Sequence, residues 1–454
     1  MRIKCPDEKS AAIEWTLKVV LGEFLGLAFE IELHAGEDVV LMWEGRRLTL
    51  VTPFFQQARA NWLKPSSLPK EPVSYWNPKS AGLGVPECEP VPILYGHGGF
   101  TIDPNGNGRL EVDVLGAMFF MLSRYEERVA PVADHHDRFP GCAALAHRAG
   151  FLTRPIVDEH VEVLWAALHR IWPHLERRTS AGQMSVSCDV DEPYERWIRG
   201  PLLFATGITG ALLRRRSWRF ASNRVRNFFA SKRGCYSFDP NWTFDWYMTV
   251  CEQAVRRVTF YFLTTPGKTR QDCIYRLDEP RMQALLRNID DRGHEIGLHG
   301  SYKTFRDRNL VALERQLLLD ACRKAGTRAN IRGNRQHFLR WRVEETPDHL
   351  DAAGFDYDTS GGYADRPGFR FGTARSFPMW SWLREAPLRL RQRPLIVMES
   401  SIISHLGLGY TPEARNLMLG LKERAMRTGG EFSLLWHNSH LESQADRELF
   451  VRVL

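Results

Sequence analysis

The chain has 454 residues, of which 43% are apolar and 25% charged, with a formal net charge of +7. These totals describe an ordinary soluble globular protein too long for one compact core, and they exclude a disordered chain or a fibrous repeat. Eight cysteines are scattered without a CxxC pair, which argues against a zinc ribbon or a dense disulfide framework and for a reducing compartment.

The N-terminal stretch "MRIKCPDEKSAAIEWTLKVVLGEFLGLAFEIE" carries Asp7, Glu8, Glu14, Lys18 and Glu23, so it lacks the uncharged core of a signal peptide. No run approaches the roughly 20 apolar residues of a spanning helix, and a cytoplasmic protein, at most peripheral to a membrane, is expected. Residues 11–33 predict a helix and then a strand, and "DVVLMWEGRRLTLVTP" predicts two short strands joined at Gly45. A Pro- and Gly-rich loop over 64–92 follows. "EVDVLGAMFFMLSRYEERV" and "IVDEHVEVLWAALHRIWPHL" then have helical spacing, the second closing near Pro173. Composition shifts at "ERRTSAGQ", which separates an expected N-terminal accessory α/β domain, residues 1–180, from a second domain, residues 181–454.

Beyond that boundary strands and helices alternate, the signature of a parallel sheet covered by helices. "MSVSCDV", "RVTFYFLT", "HEIGLH", "NIRGNRQ", "FDYDTS", "PLIVMESS" and "EFSLLWHN" predict the strands. No GxGxxG follows the first of them, so the pattern predicts a distorted, incomplete (β/α) barrel of about seven strands rather than a dinucleotide-binding sheet. Chemistry in such a barrel belongs at the C-terminal ends of the strands.

Polar residues gather at those ends. Asp189 and Asp191 leave the first strand at alternate positions, and two carboxylates there are costly unless they meet cations or a metal. The plainer reading is a pair of solvated strand-end residues. In "RGHEIGLHGSYKTF", His294 and His299 fall at opposite ends and on opposite faces of one short strand, which makes His299 the candidate ligand and His294 a structural residue. Arg335 and His337 share a face in "RGNRQHFLRW", and Arg335 there suits pairing with a carboxylate base. His437 ends "LLWHNSH", a place suited to proton delivery to a leaving group.

Between Glu195 and Asp239 no acidic residue occurs, while Arg196, Arg199, Arg214, Arg215, Arg216, Arg219, Arg224, Arg226, Lys232 and Arg233 accumulate among Trp197, Trp218, Phe228 and Phe229. This insert, at about residues 196–238, reads as a lid or peripheral helix pair on an anionic membrane surface, as a site whose charges take an anionic polysaccharide or lipid-linked glycan, or as a solvated hairpin whose arginines snorkel over its own apolar stripe. Nucleic acid is not expected, because no recognised binding fold accompanies the charge. The oligomeric state is not legible.

These motifs resemble, in order, those of the polysaccharide deacetylases, the NodB-homology domain of carbohydrate esterase family four. "SVSCDVDEP" is similar to the first motif in a DVD-type variant, "GHEIGLHGSY" to the second, "GNRQHFLRW" to the arginine-bearing third and "LLWHNS" to the last. The N-terminal part, with "GAMFFMLSRYEER" and "DHHDRF", resembles the accessory domain that precedes some deacetylase domains of this type.

The resemblance implies a hydrolase that removes N-acetyl groups from a sugar, glycan or glycoconjugate. By position it implies Asp189 as base, Asp191 and His299 as ligands of a divalent metal, zinc first, Arg335 as the residue orienting Asp189, and His437 as acid. The family's second histidine falls on Lys303, whose ammonium cannot ligate. Three explanations stay open: His337 supplies the missing nitrogen; the barrel is metal-free, or holds metal loosely, and hydrolyses a small amide; or it binds a glycan or an anionic surface without hydrolysis.

Overall fold

Strands β1 (Arg2–Pro6), β2 (Glu30–His34), β3 (Val39–Trp43) and β4 (Arg46–Leu50) open the computed structural model, which describes residues 1–85, 89–213, 218–264 and 269–454. The hairpin turn between β3 and β4 uses Glu44 and Gly45, both in the left-handed region, as a two-residue turn requires. The helix expected over residues 11–33 forms as Ser10–Leu17 and continues as a π-type helix, Lys18–Phe24, while β1 lies outside the expected elements. Strands β5 (Ser74–Trp76) and β6 (Val91–Ile93) pair with each other, and β7 (Gly96–Ile102) pairs with β8 (Gly108–Val112).

The chain divides into two compact units, the first built from Met1–Met184, Leu339–Val397 and Gly420–Ser433 and the second from Ser185–Phe338, Met398–Leu419 and Leu434–Leu454. In the first unit a six-stranded sheet runs in the order β2-β1-β3-β4-β8-β7. The helices Val114–Leu122 and Ile156–Ile171 bury their apolar residues beside it.

The mixed α/β pattern after residue 182 contains nine strands among the described residues, where about seven were expected. Those of the second unit are β9 (Gln183–Val190), β10 (Val258–Phe262), β11 (Glu295–Gly300) and β12 (Gly333–Gln336), parallel in succession. Strands β13 (Tyr357–Asp358), β14 (Phe377–Ser381) and β15 (Ala386–Gln392) belong to the first unit, and the antiparallel β14–β15 hairpin accounts for the larger count. β16 (Val397–Met398) and β17 (Glu431–Leu435) complete the order β12-β11-β10-β9-β17-β16. β10, "VTFYF", is β-branched and aromatic and buried at four of its five positions, as a covered parallel strand must be.

Within the basic insert, helices span Pro201–Leu213 and Trp218–Lys232. Arg214, Arg215 and Arg216 lie outside the described residues, as do Cys88 and the side chains of Arg199 and Arg219. No helix among the described residues is long and apolar enough to cross a membrane.

Candidate metal and catalytic site

Asp189, Asp191, His299, Arg335, His337 and His437 all stand at the C-terminal ends of strands in the second unit, and their side chains converge. β9 ends at Val190, so Asp189 leaves the sheet within the strand and Asp191 just beyond it. His299 sits in register with Arg335 on β12. His337 follows β12 directly, and Phe338 beside it holds φ 62°, a left-handed conformation that costs a non-glycine residue about 1–3 kcal/mol.

Three donors face one point. Asp191 Oδ1 lies 3.2 Å from His299 Nε2 and 3.6 Å from His337 Nε2. Donors around a tetrahedral ion with bonds of about 2.0–2.2 Å stand roughly 3.3–3.6 Å apart, so this spacing fits a single small cation. Asp191 Oδ1 is buried and accepts no hydrogen bond, an orphaned oxygen of the kind a cation would satisfy. His299 Nδ1 is 2.8 Å from the Arg335 carbonyl oxygen, which can only accept, so Nδ1 carries hydrogen and Nε2 is the atom turned towards Asp191. Behind His337, Asp272 Oδ1 is 3.7 Å from Nδ1 and is itself fixed by the Tyr302 amide at 2.8 Å. One carboxylate and two imidazoles make a donor set suited to zinc or a neighbouring transition metal.

Burial opposes charge on these groups, yet the pairing overrides it. Asp191 is held well below the ordinary carboxylate range by His337 and His299, and His337 is pushed up to about 9 by Asp191 and Asp272. A cation would take the place of that proton.

Asp189 stands beside the triad, its Oδ2 3.8 Å from His299 Nε2 and its Oδ1 3.7 Å from Arg335 Nη1. Arg335 is in turn fixed by donating to Ser187 Oγ at 3.1 Å, and its guanidinium lies 5.1 Å from the Tyr261 ring. Gly297 makes room for that ring, because a Cβ there would come within 2.5 Å of it.

His437 closes the site from β17, with Nε2 3.7 Å from Asp191 Oδ2. Glu399, the residue after β16, accepts at one oxygen from His437 Nδ1 at 2.6 Å and from His440 Nδ1 at 2.7 Å. These separations are hydrogen bonds, too short for two ligands of one ion, which distinguishes this group from the Asp191 triad. Burial lowers the affinity of His437 for a proton, but the Glu399 carboxylate overcomes this and pushes its pKa up to about 10.

His294 faces away from the site: its Nδ1 accepts from the Val258 amide at 3.1 Å and its Nε2 meets Glu252 at 3.1 Å. Lys303 is exposed at the surface. Sequence reasoning missed Asp272, Glu399 and His440. Glu399 ends the apolar run "LIVME" as His437 ends "SLLWH", the same signal on another strand. Asp272 lies in an irregular segment with no such signal.

Residues 1–173 match a family described as a family of unknown function (DUF7033). No curated protein matches the chain. Among solved structures, one described as a polysaccharide deacetylase from Mycobacterium smegmatis shares 18% identity over 61% of this chain and 83% of its own, with a TM-score of 0.37. An allantoinase shares 14% identity over 60% and 83%, with a TM-score of 0.37. A protein described as a polysaccharide deacetylase from Pseudomonas aeruginosa shares 15% over 60% and 84%, with a TM-score of 0.34.

Proposed function

We propose that the second unit hydrolyses C–N amide bonds, with N-acetyl groups of a sugar, glycan or glycoconjugate as substrate. The reading rests on one observation above the rest: Asp191, His299 and His337 converge on a point flanked by a carboxylate, Asp189, and by an imidazole, His437. The motif resemblance of this half of the chain to the polysaccharide deacetylases supports the same chemistry.

Asp191, His299 and His337 would hold a divalent cation, zinc in the first instance, and that ion would supply Lewis acidity to the scissile carbonyl. Asp189 takes a proton from the attacking water, and Arg335 holds the carboxylate in place for it. His437, cationic through its contact with Glu399, gives its Nε2 proton to the departing amine as the C–N bond breaks. The products are acetate and the free amino sugar. Two proton-transfer groups on opposite sides of a carbonyl are what amide hydrolysis needs, since attack generates one proton and departure consumes one.

Acetate release from a panel of N-acetylated oligosaccharides, with zinc, cobalt or nickel added, tests this reading. Wild-type protein turns over at least one member, and Asp189→Asn, which keeps the metal donors, loses roughly 100-fold or more. Equal inertness of both proteins across the panel would remove the assignment.

A further inference from the structure

The helix Pro201–Leu213, "PLLFATGITGALL", contains no charged residue. A helix apolar all round belongs in a core or in lipid. Here it is not in a core: Leu202 is 83% exposed, and on the second helix of the insert Trp218 is 79% and Phe229 56% exposed. Six of the sixteen exposed large apolar side chains among the described residues lie between Leu202 and Phe238, so the exposure is a local property of this hairpin. The two helices hold each other through Phe204 and Phe228, stacked at 4.3 Å. Leu202, Trp218 and Phe229 remain largely exposed.

The same segment carries ten Lys and Arg residues and no Asp or Glu between Arg196 and Phe238. Several cations lie against the apolar surface: Arg226 is 3.7 Å from the Phe238 ring, Arg224 4.8 Å from Trp197, and Lys232 5.4 Å from Phe228. Thirteen residues are too few to span a bilayer, which needs about 20. Apolar side chains and cations interleaved on one hairpin therefore suit a surface that is apolar beneath and anionic above. A second copy of this hairpin would set cations against cations, and a soluble polyanion offers nothing to Leu202 or Phe229.

We infer that the helical hairpin of residues 201–232 docks on the surface of an anionic lipid bilayer. Its base is tied to the site just described. The Asp239 carboxylate accepts from the Glu195 amide at 3.1 Å and from Asn227 Nδ2 at 3.0 Å. Asn438, next to His437, donates to the carbonyls of Glu192 at 2.9 Å and Asn241 at 2.8 Å. Docking brings the strand ends of the second unit near the lipid surface, where a membrane-borne substrate is met. The docking itself does not depend on the proposed hydrolysis.

Co-sedimentation of the full chain with vesicles of phosphatidylcholine, with and without phosphatidylglycerol, tests the inference. Wild-type protein sediments with the anionic vesicles, and raised salt releases it. Leu202→Glu combined with Phe229→Glu weakens binding by roughly tenfold or more, since each change removes an apolar side chain from lipid. Both positions are exposed, and an unchanged far-UV circular dichroism spectrum shows that the fold is kept. Equal binding to neutral and anionic vesicles, no sedimentation of wild type, or undiminished binding by the folded double variant would overturn the inference. So would a wild-type dimer that the double variant dissociates, which would assign the face to self-association.

Discussion

His337 Nε2 stands 3.6 Å from Asp191 Oδ1, whereas Lys303, four residues after His299, points to solvent. In the proposed site the third donor therefore comes from the end of the neighbouring strand and not from the turn that follows His299. Lys303→Ala should leave metal content and activity unchanged within about twofold, as expected for a surface charge with no part in the site. Metal analysis beside acetate release checks this, and a Lys303→Ala protein stripped of metal would contradict it.

Glu399 keeps the proposed acid protonated. His437 has a folded pKa of about 10 against an ordinary 6.5, so the cation persists through neutral pH, and the stability this pairing contributes is complete below about 6.5 and lost as pH climbs through about 10. Activity that needs the protonated ring should hold into the alkaline range. Glu399→Gln leaves only Asp191 and Asp189 to oppose burial, so the alkaline fall in kcat should move down towards the ordinary histidine value. At pH 8 the variant should lose tenfold or more relative to its own rate at pH 6. A pH profile superimposable on that of wild type would show that Glu399 does not govern the acid.

The first unit contains a buried charge cluster with no counterpart in the site. Glu127 accepts from Arg124 Nε at 2.8 Å and from Arg370 Nε and Nη2 at 2.9 and 2.6 Å, and Arg370 also donates to the Gly362 carbonyl at 2.8 Å. All three side chains are almost wholly enclosed. Glu127→Gln would leave buried Arg370 without its carboxylate and Arg124 with only the more distant Glu126 at 3.7 Å, and should destabilise the protein by about 3–5 kcal/mol. Urea unfolding measures this, and a loss under about 1 kcal/mol would mean that the arginines find other partners.

Much of the candidate site was legible because strand ends announce themselves. Asp189, His299 and His437 each terminate a short apolar run, and a buried run that ends in a polar group must deliver that group to one edge of the sheet. Which residue faces which depends on pairing, and pairing is not local. His337 and Asp191 meet across 146 positions, and Glu127 and Arg370 across 243. The positive φ of Phe338 and Leu339, directly after His337, leaves no composition signal, since neither is a glycine or an asparagine. The β14–β15 hairpin escaped for a similar reason: Pro378 and Pro387 interrupt the strand pattern, and both fall on an antiparallel pair with an irregular register.

The central claim is that Asp191, His299 and His337 form one metal centre. Metal stoichiometry after zinc loading and desalting, compared between wild type and His337→Ala with the folded state of both checked by circular dichroism, tests it most directly. The account predicts one equivalent in wild type and a loss of nearly all of it in the variant; full retention by folded His337→Ala, or a wild-type protein that takes up none, would contradict it.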